Sequence, residues 1–262
     1  MTSPTASAQR DPALEAHLTE HLGAGLFARS VHAYASVAST MDIAEELAAG
    51  GLPEGTLVWA ARQARGRGRF GRAWESPEGG IYLSLILQPT RARAEVPQLS
   101  LVAGLSVAEA IHDLTGLFPR IRWPNDLLLE VRKVGGILVE MASTAAIVGI
   151  GINVTTDPCR LPPNATSLAA CTAAACDPYR LTGALCQRLQ AWYDAWTVRG
   201  FAPLREALRP WLAFLGSVVR LTTGDSVVEG QAVDLDEVGR LLVRLDAGVV
   251  RAFAMAEVTR LR

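Results

Sequence analysis

From Gln63 to Trp74 the chain reads QARGRGRFGRAW, with Arg65, Arg67, Arg69 and Arg72 alternating or nearly alternating with Gly66, Gly68 and Gly71, and no acid between them. Guanidinium groups stay charged, and burying one unpaired is prohibitive, so this stretch is not core. The glycines let the backbone approach a ligand and present N–H donors, while arginines supply forked donors for carboxylate or phosphate oxygens. The stretch reads as an anion clamp. A nucleic-acid contact and a solvated loop are the competing readings of the same residues. A second residue stands out by its rarity: 24 of the 25 basic residues are arginine and one is lysine, Lys133. Lysine is a compact point charge whose environment tunes it, which suits a position where arginine cannot substitute.

The bulk composition narrows the partners. A chain of 262 residues, half of them hydrophobic, accommodates one large domain or a large one with a small one. Its formal net charge of −1 argues against a generalist nucleic-acid binder, which carries a broad basic footprint. Cys159, Cys171, Cys176 and Cys186 follow no zinc-type spacing and are too few for a disulfide scaffold of this length. The chain shows no apolar run of membrane-spanning length and no basic-then-apolar leader at its start, which points to a cytoplasmic protein.

These residues need elements to hold them. Residues 1–12 are small and polar and are expected to be disordered, with a short helix over Ala13–Leu22. Val31–Val37 reads as a strand; Ser39 or Thr40 is placed to cap a helix that ends at Gly50-Gly51. Strands over Thr56–Ala61 and Ile81–Leu87 flank the clamp, the second continuous enough to be central. Val96–Leu117 has helical periodicity. Arg120–Val154 then reads as strands joined by turns at Pro124-Asn125-Asp126 and Gly135-Gly136, ending on Gly149-Ile150-Gly151-Ile152-Asn153. Leu181–Trp196 and Phe201–Leu215 are predicted helices with aromatic core stripes. From Ser217 the pattern becomes short strands with turns at 223–225, 234–237 and 246–248, a small barrel-like β module.

Taken in order, the motifs resemble the biotin–protein ligase family. GRGRxGRxW with an upstream glutamine is matched by Gln63 and Gly66–Trp74, [KR]WPND by Arg122–Asp126, and the family's lysine seven residues later by Lys133. The K-x-G-G-I-L-x-E and G-x-G-I-N elements follow, and the likeness covers residues 30–262. It implies an α+β fold: a mixed-sheet (SH2-like, class II synthetase-related) catalytic domain over 29–215 and an SH3-like β-barrel over 216–262, behind an N-terminal tail of residues 1–28. It also implies a two-step reaction. Biotin and ATP, with Mg²⁺, give biotinyl-5′-AMP; biotin then passes to a lysine of the biotin carboxyl carrier protein of acetyl-CoA carboxylase. By the same resemblance Lys133, Arg67 and Asp126 serve catalysis, with Asp126 a candidate for organising Mg²⁺ or the incoming lysine. Biotin falls to Ser39, Thr40, Met41, Gln63, Arg67, Gly68, Arg69, Lys133 and Gly136, and the nucleotide to Arg69, Arg72, Trp74, Asn125 and Asn153.

Two departures from the family pattern bear on the site. Met41 stands where the family usually has asparagine, and Arg65 where it has a small residue before the glycine. Some members carry an N-terminal DNA-binding domain; the short N-terminal stretch here implies a ligase that does not bind DNA, and a homodimer remains open. The alternatives are a lipoate ligase, disfavoured by the loop and the C-terminal module, a nucleic-acid-binding module, and an idle biotin-binding regulator, disfavoured by Lys133.

Overall fold

The strand patterns assemble into a seven-stranded sheet whose two faces are covered unequally, and this inequality creates the site. The computed structural model describes residues 9–224, 226–246, 248–254 and 256–261. Helix α1 (Pro12–Leu22) begins behind Asp11, whose carboxylate accepts from Ala13 and Leu14 N–H. Strand β1 (Ser30–Tyr34), helix α2 (Thr40–Ala49) and strand β2 (Thr56–Ala60) follow. The clamp then makes two short strands, β3 (Gly66–Arg67) and β4 (Ala73–Trp74), before β5 (Gly80–Leu87) and helix α3 (Leu99–Thr115). Strands β6 (Arg120–Arg122), β7 (Asp126–Leu129), β8 (Arg132–Ala142) and β9 (Ala145–Asn153) complete the sheet, in the order β1-β2-β5-β9-β8-β7-β6. Only β1 and β2 pair in parallel; every other neighbour is antiparallel, so the sheet is mixed.

Side-chain alternation assigns each strand residue to a face. Leu57 and Trp59, Leu83 and Leu85, Val148 and Ile150 join the large core under α1, α3 and α4 (Pro178–Arg199). Val58, Ala60, Ile86 and Ile147 turn the other way and pack beneath α2 with Met41, Ile43 and Ala44. Both faces of β2 and β5 are thus covered, which explains their nearly unbroken apolar sequences. Arg93–Thr115 is apolar and long enough by composition to cross a membrane, yet it is mostly buried in this core.

Several boundaries differ from the sequence expectation, each for a local reason. The expected disorder of residues 1–12 falls outside the described residues for 1–8. Beyond them, Arg10 pairs with Glu15 and donates to the Val31 carbonyl, and Asp11 N–H bonds to Ala33. Strand β1 stops at Tyr34, with Val37 rejoining the sheet only as an isolated bridge to Gln63. Pro97 interrupts the helix expected from Val96, so α3 starts at Leu99 after a 3₁₀ turn. Pro210 does the same after α5 (Ala202–Leu208), shortening the helix expected to reach Leu215. Helix α4 starts before Leu181 because Asp177 caps it and Pro178 occupies its first position.

The C-terminal strands β10 (Val218–Thr223), β11 (Ser226–Leu235), β12 (Leu241–Arg244), β13 (Val250–Phe253) and β14 (Glu257–Arg260) form an antiparallel sheet in the order β13-β12-β11-β10-β14. Among the described residues β13 and β14 remain edges, so the barrel expected from the resemblance is an open five-stranded sheet here. Two of its expected turns include Asp225 and Ala247, which lie outside the described residues. Trp123 Nε1 donates to the Gly239 carbonyl at 2.9 Å, joining this sheet to the larger one. Arg205 and Arg209 both reach Asp234, at 2.8 and 2.5 Å.

Hydrogen bonds from Arg209, and then from Arg205, hold the Asp234 carboxyl at about 2, against the opposing effect of burial. This value lies below that of an unfolded aspartate, so the stabilisation is complete above about pH 5 and is lost as the pH falls through the folded value. Asp234→Asn should therefore lower the melting temperature at pH 7 by roughly 2–4 °C. Calorimetry at descending pH should find the gap to the parent protein closing towards pH 2.

Candidate active site

The face of the sheet that α2 leaves open is floored by glycine. Gly136 of β8 lies opposite Gly151 of β9, and Gly149 lies opposite Leu138. On the other side of β9, Tyr82 pairs with Gly151 and Ser84 with Gly149. Three missing side chains on adjacent strands make a hollow, and two large side chains enter it. A Cβ on Gly149 would stand 2.5 Å from the Met41 sulfur. One on Gly151 would stand 2.7 Å from the Trp74 indole, and one on Gly136 3.2 Å from its far edge. Met41, buried at 4% exposure, thus depends on Gly149 for its place.

The clamp is a hairpin over this hollow. Gly66 pairs with Trp74 and Arg67 with Ala73, and Gly68 N–H donates to the Arg72 carbonyl. Phe70 and Gly71 turn the chain in the left-handed region, at φ 58° and 71°. The exposed Phe70 ring lies beside the Arg69 and Arg72 guanidiniums, 4.7 and 5.9 Å from its centroid. A Cβ on Gly66 would stand 2.4 Å from the Trp74 carbonyl, so the hairpin base has no room for a side chain.

The four arginines go to different places. Arg65 is exposed and lines no part of the cleft. Arg67 meets Glu140 at 2.9 Å and Asp42 at 3.3 Å. Arg69 Nη1 donates to Asn125 Oδ1 at 2.7 Å, while its buried Nη2 finds no partner among the described residues. Burial lowers the Arg69 guanidinium from its ordinary value, with Asp126 and Glu257 acting in the opposite sense. Arg72 pairs with Glu257 of β14.

Lys133 approaches from the sheet. Its Nζ lies 2.6 Å from Asp126 Oδ1 and 5.0 Å from the Trp74 ring centroid. Arg122 Nη2 takes the other Asp126 oxygen at 2.5 Å. Burial alone would raise the Asp126 carboxyl, but Lys133 and Arg122 outweigh it and hold it below the usual carboxylate range. The Asn125 side-chain amide donates to the Ile137 carbonyl, and the Asn125 backbone carbonyl accepts from Ile137 N–H, which fixes the turn that carries both Asn125 and Asp126.

At the opposite end are the polar groups of α2. Gln63 Oε1 accepts from Thr40 N and Oγ1, at 2.8 and 3.1 Å, and Gln63 Nε2 donates to Ser76. The Thr40 hydroxyl also meets Ser84. Ser39 occupies the N-cap position but makes no side-chain capping bond; its buried Oγ has no partner among the described residues. A buried hydroxyl and a buried guanidinium nitrogen left unpaired are the groups a ligand would satisfy.

Of the residues expected at the site, Thr40, Met41, Gln63, Arg67, Gly68, Arg69, Trp74, Asn125, Lys133 and Gly136 line the cleft. Arg72 and Asp126 line an adjoining pocket that reaches β14. Ser39 and Asn153 line neither: both are buried, and the Asn153 amide donates to the Thr166 carbonyl, tying down the 164–168 loop. Sequence reasoning missed Tyr82, Ser84, Asp42, Glu140 and Glu257. Ser84 had a signal, a lone hydroxyl within an apolar strand; the three acids had none. Asp126 has both oxygens taken by cations, and among the described residues no group of three His, Cys, Asp or Glu side chains could hold a metal ion.

A hairpin of arginines facing a lysine over a mixed sheet can gather two anions in one cleft. Residues 33–157 match the biotin/lipoate A/B protein ligase family model, and residues 214–260 match the biotin protein ligase C-terminal domain. The chain belongs to this family, in its biotin protein ligase branch. It is 35% identical over 251 residues to the biotin–[acetyl-CoA-carboxylase] ligase of Mycobacterium tuberculosis, covering 91% of this chain and 92% of that one. It is 34% identical over 228 residues to the bifunctional ligase/repressor BirA of Bacillus subtilis, covering 83% and 70%. Among solved structures, the biotin protein ligase of Aquifex aeolicus in complex with biotin and ATP superposes with a TM-score of 0.81 at 31% identity, covering 89% of this chain and 99% of that one.

Gly151→Ala should push the rigid indole of Trp74 out of the hollow and loosen the hairpin. Trypsin should then cut between Arg65 and Arg72 several-fold faster than in the parent, with the melting temperature little changed; unchanged cleavage would show that Trp74 does not pin the loop.

Proposed function

We propose that this protein is a biotin–[acetyl-CoA-carboxylase] ligase. A carboxylate oxygen of biotin attacks the α-phosphorus of ATP, the bond to the bridging oxygen breaks, and pyrophosphate leaves. The amine of a lysine on a biotin carboxyl carrier domain then attacks the acyl carbon of biotinyl-5′-AMP, forming an amide, losing a proton and releasing AMP. The observation that carries this reading is the convergence of Lys133 Nζ and the unpaired Arg69 Nη2 on one cleft.

The first step has to bring two anions together. At 4 Å two unit charges repel by about 4 kcal/mol in surroundings of intermediate polarity. The Arg122–Asp126–Lys133 group carries a net charge of +1, and Arg69 adds another, so the local field opposes that repulsion. Lys133 holds the biotin carboxylate and then meets the charge that develops at the α-phosphate. Asp126 acts through Lys133: one oxygen fixes the ammonium and the other takes the Arg122 guanidinium. Magnesium would come with the phosphates of the nucleotide, as part of the substrate, with Asp126 the nearby carboxylate that would help to hold it.

At the other end, Ser39, Thr40 and Gln63 offer a hydroxyl, a hydroxyl and an amide to the ureido ring, with Met41 and Leu138 as apolar walls. Gly68 and Gly136 allow close backbone approach. Trp74 faces the adenine, with Arg72 and Asn125 on the nucleotide side, and the hairpin screens the adenylate from water. Residues 29–215 form the catalytic domain and 216–262 the C-terminal one, and the protein works in the cytoplasm.

Lys133→Ala should cut biotin-dependent ATP–pyrophosphate exchange by roughly 100-fold or more while cooperative thermal unfolding persists. Exchange at the parent rate in that variant would remove the proposed role.

A further inference from the structure

The arginine nearest the hairpin base is surrounded by acids. Arg67 Nη1 lies 3.3 Å from Asp42, and Nη2 lies 2.9 Å from Glu140 and 3.9 Å from Glu45. One guanidinium among three carboxylates has a local charge of −2, the reverse of the field around Lys133. A substrate carboxylate arriving there would compete with three already in place and be repelled by their excess. Each of Arg67 and Arg69 keeps one buried nitrogen without a partner among the described residues, but Arg69, by contrast, makes no ion pair among them and bonds only to a neutral amide.

The positions of the acids are as informative as their number. Asp42 and Glu45 are three apart on α2 and so share a face of the helix that begins with Thr40. Glu140 lies on β8, on the same sheet face as Gly136 and Leu138. Through Arg67 the hairpin base is fastened to the helix at one end of the cleft and to the strand that forms its floor. Gln63, four residues earlier, makes a parallel connection to Thr40.

We infer that Arg67 is an anchor of the loop and that Asp42 and Glu140 are positioning residues, which set biotin affinity and adenylate retention by fixing where the hairpin carries Arg69. This rests on the ligase reading above. The pairs are half-exposed, so each alone is modest, and the network acts together.

The test is Asp42→Asn/Glu140→Gln in the full chain, followed by biotin dependence of ATP–pyrophosphate exchange, escape of biotinyl-5′-AMP from preloaded protein, and ligand-free trypsin cleavage between Arg65 and Arg72. We expect KM for biotin to rise and adenylate escape to quicken, each roughly fivefold or more, with KM changing more than kcat. Cleavage should also quicken. Arg67→Ala should reproduce these changes, and adding it to the double variant should add little, since all three remove one contact. If Arg67 instead serves as the cation for biotin, the acids are its competitors. The double variant would then bind biotin more tightly and Arg67→Ala would be far worse than it, and the inference would fall. Should the parent chain lack biotin-dependent exchange, the ligase reading fails; the trypsin comparison still decides whether the anchor exists. Glu140→Gln alone should move each readout in the same direction if the double variant folds poorly.

Discussion

A partly buried carboxylate between two cations organises this molecule. Asp126 is held at a turn, with Arg122 on one oxygen and Lys133 on the other. Without it, an ammonium on a flexible four-carbon stem would sweep a large volume; with it, Nζ stays over the glycine floor beside Trp74. The cost of burying the acid is met by two charged hydrogen bonds, and the remaining charge is positive, as a site for anions needs. The turn is fixed in its own right by Asn125 and Ile137, so the alignment of the charged group is built into sheet pairing and not left to side-chain rotamers.

The second constraint is absence of side chains. Gly136, Gly149 and Gly151 stand on one face of adjacent strands, and α2 reaches this part of the sheet at Gly149 through Met41. The hollow is where Met41 and Trp74 can both reach the backbone, one from α2 and one from the hairpin. Met41, which departs from the asparagine that the resemblance leads one to expect, is accommodated because Gly149 makes room for its thioether. It presents a polarisable apolar wall at the α2 end of the cleft.

The sequence made strands, helices and the clamp legible wherever the signal was local. Strand β5 was visible as a β-type run, α2 as a periodic segment between hydroxyls and glycines, and Lys133 as a solitary lysine. What stayed hidden depended on distance along the chain. Arg67 and Glu140 are 73 residues apart, and nothing in either segment announces the pairing. Glu257 lies in a separate sheet yet meets Arg72. Helix limits were misplaced where proline intervened, at Pro97 and Pro210, and where the Asp177-Pro178 capping signal was overlooked. Ser39 or Thr40 was expected to cap α2; Ser39 holds the N-cap position, yet its buried Oγ makes no capping bond.

The arginine-rich segment illustrates how one sequence signal divides once it folds. Four guanidiniums within eight residues read as a uniform clamp, but the hairpin turns them in different directions. Arg67 goes to acids of the catalytic sheet and helix, Arg69 to a neutral amide at the cleft, and Arg72 to an acid of the C-terminal sheet. Like charges so close would repel if all faced one point, and acids neutralise Arg67 and Arg72 on either side of Arg69. Arg65 points away from the cleft, and Arg69 is left as the hairpin guanidinium that lines it without an ion pair, beside Phe70. A run of identical charges therefore concentrates its effect in the cleft on the arginine that meets no acid there.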